Sequence, residues 1–144
     1  MNFTSKPFDK LTAKELYEIL RLRAEIFVVE QNIVYQDMDG TDYVSLHFFL
    51  KEDERVAAYC RAYPKTNCPD TVKIGRVVTL RHGEGLGRKL MEYALPIVRK
   101  EGYKKVYIEA QEYALGFYEK FGFKVVSGLF MIDNIPHKAM ELEF

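Results

Sequence analysis

The stretch VVTLRHGEGLGRKLM, residues 77–91, decides the fold class. An apolar run rich in valine leads into Gly83, Gly85 and Gly87, and a helix-like segment follows these glycines. Glycine permits positive φ and lets a ligand approach the backbone closely. The amides of such a turn point into a shared concavity, and the following helix adds its positive dipole end. The stretch therefore indicates a strand–turn–helix unit that binds a phosphate or pyrophosphate. The alternative is a tight turn that binds nothing.

The spacing of the glycines excludes two common nucleotide loops. A P-loop follows the pattern GxxxxGK with Ser or Thr next, and Arg88 stands where its second glycine belongs. The dinucleotide fingerprint GxGxxG also has Arg88 in place of a glycine, and Lys105 in place of its later acidic residue. The anion must therefore be held by a different kind of loop.

The rest of the chain shows patterns of both helices and strands. Thr12 and Glu15 form a capping box before a helix that ends near Glu30. Pro96 predicts a kink or an early end in the helix after the glycines. Further helices are predicted over 86–100 and 113–121, and strands over 44–50, 56–63, 72–80, 104–111, 123–132 and 137–144.

This order of elements predicts an α/β domain, with a mixed central β-sheet of the α+β kind flanked by helices. The strand–helix–strand unit around the glycines should have parallel strands, and the first two strands should form an antiparallel hairpin. The chain has 144 residues, of which 48% are hydrophobic, which is enough to bury one core. We therefore expect a single domain over residues 1–144.

Composition narrows the classes of partner and cofactor. Lysine plus arginine and aspartate plus glutamate both total 21, which argues against broad binding to nucleic acid or to an anionic membrane. Cys60 and Cys68 lack the spacing of a zinc site, so no metal is expected. No apolar run approaches the ~20 residues that a membrane span needs, and no signal peptide is visible, so we expect a cytoplasmic protein. A monomer and a homodimer both stay open.

Four segments carry a resemblance to a known family. HGEGLG (82–87) resembles the acetyl-CoA loop of GNAT-type N-acetyltransferases, and AQEYALGFYEKFGF (110–123) resembles a later helix of that fold. YQDMDGTD (35–42) and IPHKAM (135–140) are similar to the ElaA-like subgroup. Two departures are visible: His82 stands where the loop usually has Arg or Gln, and the connection from strand to loop is short.

The resemblance implies a GNAT-type acyl-CoA N-acyltransferase fold that binds acetyl-CoA as co-substrate. The loop amides would hold the pyrophosphate, the preceding strand would pair with pantetheine, and the side chain of Glu84 should point outward. The implied cofactor-binding residues are Val77, Val78, Thr79, His82, Gly83, Glu84, Gly85, Leu86, Gly87, Arg88, Gln111 and Tyr118.

The resemblance also implies the residues that move protons. Tyr118 takes the place of the family's acid tyrosine, although an aromatic core position is the alternative reading. His137 is a candidate base because imidazole suits an amine proton, and a histidine with a purely structural role at a strand end is the alternative. Glu109 alternates with Ile108 and could also face the cleft, but no motif supports it.

Two further residues are candidates for substrate contact. Arg76 is charged where a core residue is expected, which suggests a buried ion pair or an anionic substrate group. Asp39 belongs to an acidic loop with Asp37 and Asp42 that could attract a cationic amine. The loop does not have the spacing of an EF-hand, and a solvated turn is the alternative.

These residues lead to one main hypothesis about function. The chain would transfer an acetyl group from acetyl-CoA to the primary amine of a small molecule or peptide, by direct attack of the amine on the thioester. A non-catalytic module that senses CoA or acyl-CoA, or contacts a protein, is the alternative from another class. An anion-binding domain for another nucleotide is a third.

Overall fold

The structure is a computed structural model that describes residues 2–144. A mixed β-sheet of eight strands dominates this part of the chain. The strands are β1 (Asn2–Pro7), β2 (Leu46–Glu52), β3 (Arg55–Lys65), β4 (Cys68–Thr79), β5 (Lys105–Gln111), β6 (Lys124–Val125), β7 (Phe130–Ile132) and β8 (Ile135–Glu143). The α-helices are α1 (Ala13–Arg23), α2 (Leu86–Lys100) and α3 (Leu115–Glu119). The mixed α/β class and the β2–β3 hairpin are confirmed.

The first helix begins at the predicted capping box. The Glu15 amide donates to Thr12 Oγ1 at 3.0 Å, and the Thr12 amide donates to Glu15 Oε1 at 2.9 Å. After α1 the chain continues as a π-helical segment, Ala24–Glu30, so the predicted end near Glu30 is confirmed. Wide turns of this kind are rare and often occur at functional sites.

The helix α2 spans the predicted residues, but the early end at Pro96 is wrong. The helix continues through Pro96 to Lys100. Proline removes only one ladder bond, and the buried face of α2, including Leu90 and Ala94, packs on the sheet along the whole helix. The later helix is shorter than predicted, because a 3₁₀ turn at Glu112–Ala114 precedes α3.

Two strand predictions need correction. Residues 123–132 form the two short strands β6 and β7 rather than one. Between these strands the Ser127 hydroxyl accepts a hydrogen bond from the Ala139 amide at 2.8 Å, and this bond bends the chain. The strand β1 was not predicted, since NFTSKP lacks apolar alternation. It forms by antiparallel pairing with β2, with Phe3 opposite Leu50.

The sheet has the order β1-β2-β3-β4-β5-β8-β6, with β7 also paired to β8. The only parallel pair within residues 2–144 is β4–β5, and its ladder stops at Lys73 opposite Tyr107. The ladder ends just before a bulge of β4 at Arg76, whose φ is 52°, while pairing of β4 with β3 continues beyond the bulge. The two strands therefore separate in the middle of the sheet and leave a cleft between their carboxyl ends.

Candidate active site

A cavity of about 1020 Å³ opens where β4 and β5 separate. Its walls come from the end of β4, the glycine turn, the start of α2, the end of β5, α3 and the β7–β8 hairpin. A cavity of this size accommodates a ligand larger than most drug-sized molecules. The two sequence blocks on either side of β5 therefore meet at one site.

The glycine turn presents free backbone donors to this cavity. Gly83 and Gly85 have φ of 81° and 71°, which is the left-handed region, and Gly85 is the N-cap of α2. The Lys89 amide donates to the Gly85 carbonyl at 3.0 Å as the first bond of the helix. The amides of residues 86–88 precede this bond, have no partner within α2 and are available to an anion.

Gly87 has a different role from the other two glycines. Its φ is not positive, but a Cβ at this position would lie 3.2 Å from Phe117 Cζ on α3. This glycine therefore lets α3 pack directly against the first turn of α2. The close contact fixes the position of Tyr118, which follows Phe117 on the same helix.

Tyr118 lines the cavity from α3 and is 8% exposed. Its ring packs edge-on against Phe117 at 5.0 Å and Phe123 at 5.8 Å. Burial raises the pKa of the Tyr118 phenol well above its usual value. The hydroxyl is therefore protonated at neutral pH, and its raised pKa makes it a weaker acid than a free phenol. The side chain takes part both in the aromatic core and in the cavity wall.

His137 lies in β8 directly opposite Gln111 of β5, and both line the cavity. Its Nδ1 is 2.7 Å from the Ile135 carbonyl, to which it donates. That bond leaves the lone pair on Nε2, which can accept a proton. The ring stacks on Phe130 at a centroid distance of 6.2 Å, so its orientation is fixed.

Comparison with known proteins identifies the family. The model of the acetyltransferase (GNAT) family matches residues 13–123, which include the glycine turn, β5 and α3. The chain belongs to the GNAT family. A UPF0039 protein of Schizosaccharomyces pombe is 39% identical over 148 residues, with 99% of this chain and 97% of that protein covered.

Two solved structures extend the similarity to the whole fold of this GNAT chain. An acyl-CoA N-acyltransferase from Pseudomonas aeruginosa superimposes with a TM-score of 0.91 at 38% identity, covering 98% of this chain and 99% of that one. Escherichia coli ElaA also gives a TM-score of 0.91, at 33% identity and 99% coverage of both chains. The fold is that of GNAT acyl-CoA N-acyltransferases, and the similarity to ElaA-like proteins is confirmed.

The side chains of Glu84 and His82 are both at the edge of the GNAT loop. Arg81 Nε binds Glu84 Oε2 at 2.7 Å and so holds this carboxylate, which is not part of the cavity wall. The predicted outward direction of Glu84 agrees with this contact. The His82 side chain is 75% exposed at the rim, with Nε2 at 3.5 Å from Glu30. A role of His82 in cofactor binding stays a prediction.

The strand residues predicted to contact pantetheine line the same cavity. Val77, Val78 and Thr79 form its β4 wall, and Gln111 lies across the cleft at the end of β5. On its other edge β4 still pairs with β3, with Tyr59 opposite Val78. The edge of β4 that faces β5 has no ladder partner beyond Lys73 within the described residues.

Arg76 and the acidic loop form an ion-pair network, so the solvated turn is wrong for Asp37 and Asp42, whereas Asp39 is exposed. Asp37 and Asp42 are buried, and the Arg76 Nε donates to Asp37 Oδ1 at 2.8 Å. The fully buried Arg23 binds Asp37 Oδ2 at 2.8 Å and Asp42 Oδ1 at 2.7 Å. Three arginines of the helix and strands compensate the carboxylates of the loop, whose residues 38–40 are exposed. The ion-pair interpretation of Arg76 is confirmed.

Asp39 lines the cavity, but its carboxylate is already engaged. Arg61 binds it with both terminal nitrogens, at 2.9 and 2.7 Å. These bonds hold the pKa of Asp39 well below its usual range. An acceptor amine would have to compete with a bidentate guanidinium for this carboxylate.

A second ion pair of the cavity has no sequence motif. Lys73 Nζ lies 2.8 Å from Glu109 Oε1, and the Tyr107 hydroxyl donates to Glu109 Oε2 at 3.1 Å. Burial raises the pKa of Glu109, but Lys73, Tyr107 and the nearby His137 outweigh it, so the pKa lies below its usual value. Lys73 was not predicted as a site residue. Its one signal was a charge within the apolar run Val72–Ile74.

Residues 2–144 contain neither a candidate metal cluster nor a candidate membrane span. This part of the chain contains no group of three or more His, Cys, Asp and Glu side chains that could hold a metal ion. None of its helices is long and apolar enough to span a bilayer.

Proposed function

We propose that this GNAT chain, acting as one domain over residues 1–144, transfers an acetyl group from acetyl-CoA to a primary amine of a small molecule or peptide. One observation carries the proposal: the glycine turn, at the N-terminus of α2, and the buried Tyr118 line the same cavity. An anion site alone would suit many ligands. An anion site beside a protonated phenol suits a thioester whose leaving group needs a proton.

Binding of acetyl-CoA would use backbone groups along the cavity. The amides of the glycine turn would receive the pyrophosphate, assisted by the positive end of α2. The pantetheine arm would pair with the free edge of β4 at Val77–Thr79. The side-chain amide of Gln111 supplies a further partner from the other side of the cleft. The thioester would then lie between the split strands.

The chemistry follows from the groups that surround that position. The amine passes a proton to His137 Nε2, directly or through water, and its nitrogen attacks the thioester carbonyl carbon. A backbone N–H near Val78 polarises the carbonyl oxygen. The carbon–sulfur bond then breaks, the thiolate takes the proton of Tyr118, and the nitrogen, which entered as an ammonium and still carries one proton more than an amide, releases it to solvent. The products are an N-acetyl amide and free CoA, and solvent returns the His137 proton to Tyr118.

Ligand-induced stabilisation and thiol release test the proposal in sequence. Acetyl-CoA or CoA at a hundred times its dissociation constant should stabilise the fold by about 2.7 kcal/mol in thermal melts, whereas ATP and NAD should not. Absence of a shift with both CoA forms contradicts the proposal. A thiol assay with a panel of amines then detects turnover. Stabilisation without thiol release from any amine would favour the non-catalytic CoA sensor.

A further inference from the structure

The Lys73–Glu109 pair spans the cleft at the point where it begins. Lys73 is the last residue of β4 that pairs with β5, and Glu109 follows Tyr107, its ladder partner, by two positions. Both side chains line the cavity and are half-buried. Because Glu109, Gln111 and His137 belong to the same face of the sheet, the pair lies on the side from which His137 would receive an amine proton.

Glu109 is the carboxylate of the cavity best placed to receive an ammonium group. Within residues 2–144, four acidic side chains line the cavity: Asp39, Glu92, Glu109 and Asp133. Asp39 is held by a bidentate guanidinium, Glu92 lies on α2 beside the glycine turn, and Asp133 is exposed in the β7–β8 turn. Glu109 is half-buried, and its partner is a lysine on a flexible stem that can move aside.

Small residues leave space beside this pair. Ala139 is the register partner of Glu109, so no large side chain stands opposite the carboxylate. Gly75 lies two residues after Lys73 on the same face of β4, and a Cβ built there would meet nothing within 4 Å. An acceptor of modest size therefore has room on this part of the cavity floor.

Charge balance then restricts the class of acceptor. The pair is neutral, so a plain ammonium that displaced Lys73 would leave two cations facing one half-buried carboxylate. Unpaired charge in such a place is costly. Lys73 also lies 5.8 Å from the Tyr107 ring centroid, which compensates only part of its charge. A carboxylate on the acceptor itself would restore neutrality, because it would pair with Lys73.

We propose that the Lys73–Glu109 pair recognises an acceptor that carries both an amine and a carboxylate, as an amino acid does. Glu109 binds the ammonium and Lys73 binds the carboxylate, so the two ions of the acceptor exchange partners with the two ions of the protein. This inference rests on the proposed acetyl transfer and names its acceptor class. Loss of an acceptor proton to His137 then leaves the nitrogen beside Glu109 free to attack.

The test compares matched acceptors with the unaltered chain. Each amino acid of a panel is paired with its carboxamide, which has the same side chain and amine but lacks the negative charge. We expect kcat/KM for the amino acid to exceed that of the carboxamide by at least about tenfold, because the neutral carboxamide cannot form an ion pair with Lys73. Equal values for both members of every pair would overturn the inference.

Variants assign the preference to the two side chains. Lys73→Met should abolish the preference for the carboxylate, and Glu109→Gln should raise KM for both acceptors while KM for acetyl-CoA stays unchanged. The double variant K73M/E109Q leaves no unpaired charge and should therefore fold even if a single variant does not. It should lose the preference for the carboxylate and show the raised KM for both acceptors. Turnover by these variants with an unaltered preference would contradict the assignment.

The chain offers a matched control pair. Lys105 and Glu141 bridge β5 and β8 at 3.3 Å with similar exposure, and both lie outside the cavity. Lys105→Met and Glu141→Gln should leave the acceptor preference intact. An equal loss of the acceptor preference in these controls would mean that removing any ion pair of the sheet has this effect, and it would overturn the inference. Failure of the unaltered chain to acetylate any amine would instead overturn the proposed function, and the inference with it.

Discussion

Tyr118 and His137 are fixed by neighbours that do not take part in the proposed chemistry. Aromatic rings hold the phenol, and the Ile135 carbonyl selects the imidazole tautomer. The sequence supplied both residues through a family resemblance, because spacing alone does not show where side chains meet. It could not supply Lys73, whose relation to Glu109 depends on the parallel register of two strands far apart in the chain.

Replacing Tyr118 with phenylalanine tests the proton donor. Tyr118→Phe should lower kcat by about 100-fold or more, because the departing thiolate loses its positioned acid. KM for acetyl-CoA and the melting temperature should stay close to their original values, since the ring and its packing are kept. Steady-state kinetics and a thermal melt measure these quantities.

Tyr93→Phe provides the control for this substitution. Tyr93 is a partly buried tyrosine of α2 that does not line the cavity. Its variant should keep full turnover. If Tyr118→Phe also kept full turnover, the hydroxyl would have no role as an acid and Tyr118 would be a core residue only.

At the scale of secondary-structure elements, local sequence pattern separates the helices and strands that were predicted from those that were not. The helix α2 has a continuous apolar face, so its pattern alone sets its span. The strands β1, β6 and β7 are short or polar and exist because β2 and β8 pair with them. Long-range pairing of this kind leaves little trace in the local sequence.

The contact between α2 and α3 depends on Gly87. A methyl group in Gly87→Ala would meet Phe117 at 3.2 Å and push α3 away from the glycine turn. We expect CoA to bind about tenfold more weakly, as measured by its stabilisation in thermal melts. Gly116→Ala is the control, because its Cβ would meet nothing within 4 Å and alanine favours the helix. Unchanged CoA binding in Gly87→Ala would contradict this role.

The N-terminus of α1 should make stability depend on pH. Burial acts to raise the pKa of Glu15, but hydrogen bonds from Lys51, the Thr12 amide and Lys6 lower it to about 2. Because folding lowers the pKa of Glu15, its carboxylate stabilises the fold at pH values above the unfolded-state pKa of about 4.5. This contribution is lost as the pH falls toward 2. The lysines are partly exposed, so we expect about 1–2 kcal/mol at neutral pH rather than the full shift.

Glu15→Gln isolates this charge because glutamine retains the capping-box hydrogen bond. Its unfolding free energy in urea should be about 1–2 kcal/mol below that of the original chain at pH 7, and the difference should vanish by about pH 2. Glu25→Gln, at an exposed position, should show no such dependence. A difference that is the same at every pH would refute the electrostatic explanation.

At the scale of the whole molecule, the Arg23 network ties the acidic loop to α1, β3 and β4. Arg23 is fully buried and binds Asp37 and Asp42, and Arg61 and Arg76 bind the same loop from the strands. The sequence predicted a mixed sheet and an ion pair as one interpretation of Arg76, but neither the partners in this network nor the divergence of β4 and β5. The divergence comes just before the bulge at Arg76, which no local pattern indicates.

Removing Arg23 should destabilise the entire fold. Arg23→Met leaves buried carboxylates without their partner, which costs about 3–5 kcal/mol. The urea midpoint should fall while the m-value stays constant. Arg21→Met on the same helix removes a partly exposed cation paired with Glu18, and it should cost less than about 1 kcal/mol. Equal effects of the two substitutions would contradict this prediction.

The divergence of β4 from β5 also has a consequence for isotope exchange. Beyond Lys73, the β4 amides that point away from β3 lack a ladder partner among the described residues. Deuterium should enter these amides faster than those of the fully paired strand β3, although both strands lie in the interior of the sheet. A bound pantetheine arm would slow this exchange at Val77–Thr79. The pattern of protection would map the cofactor along the strand without any measurement of turnover.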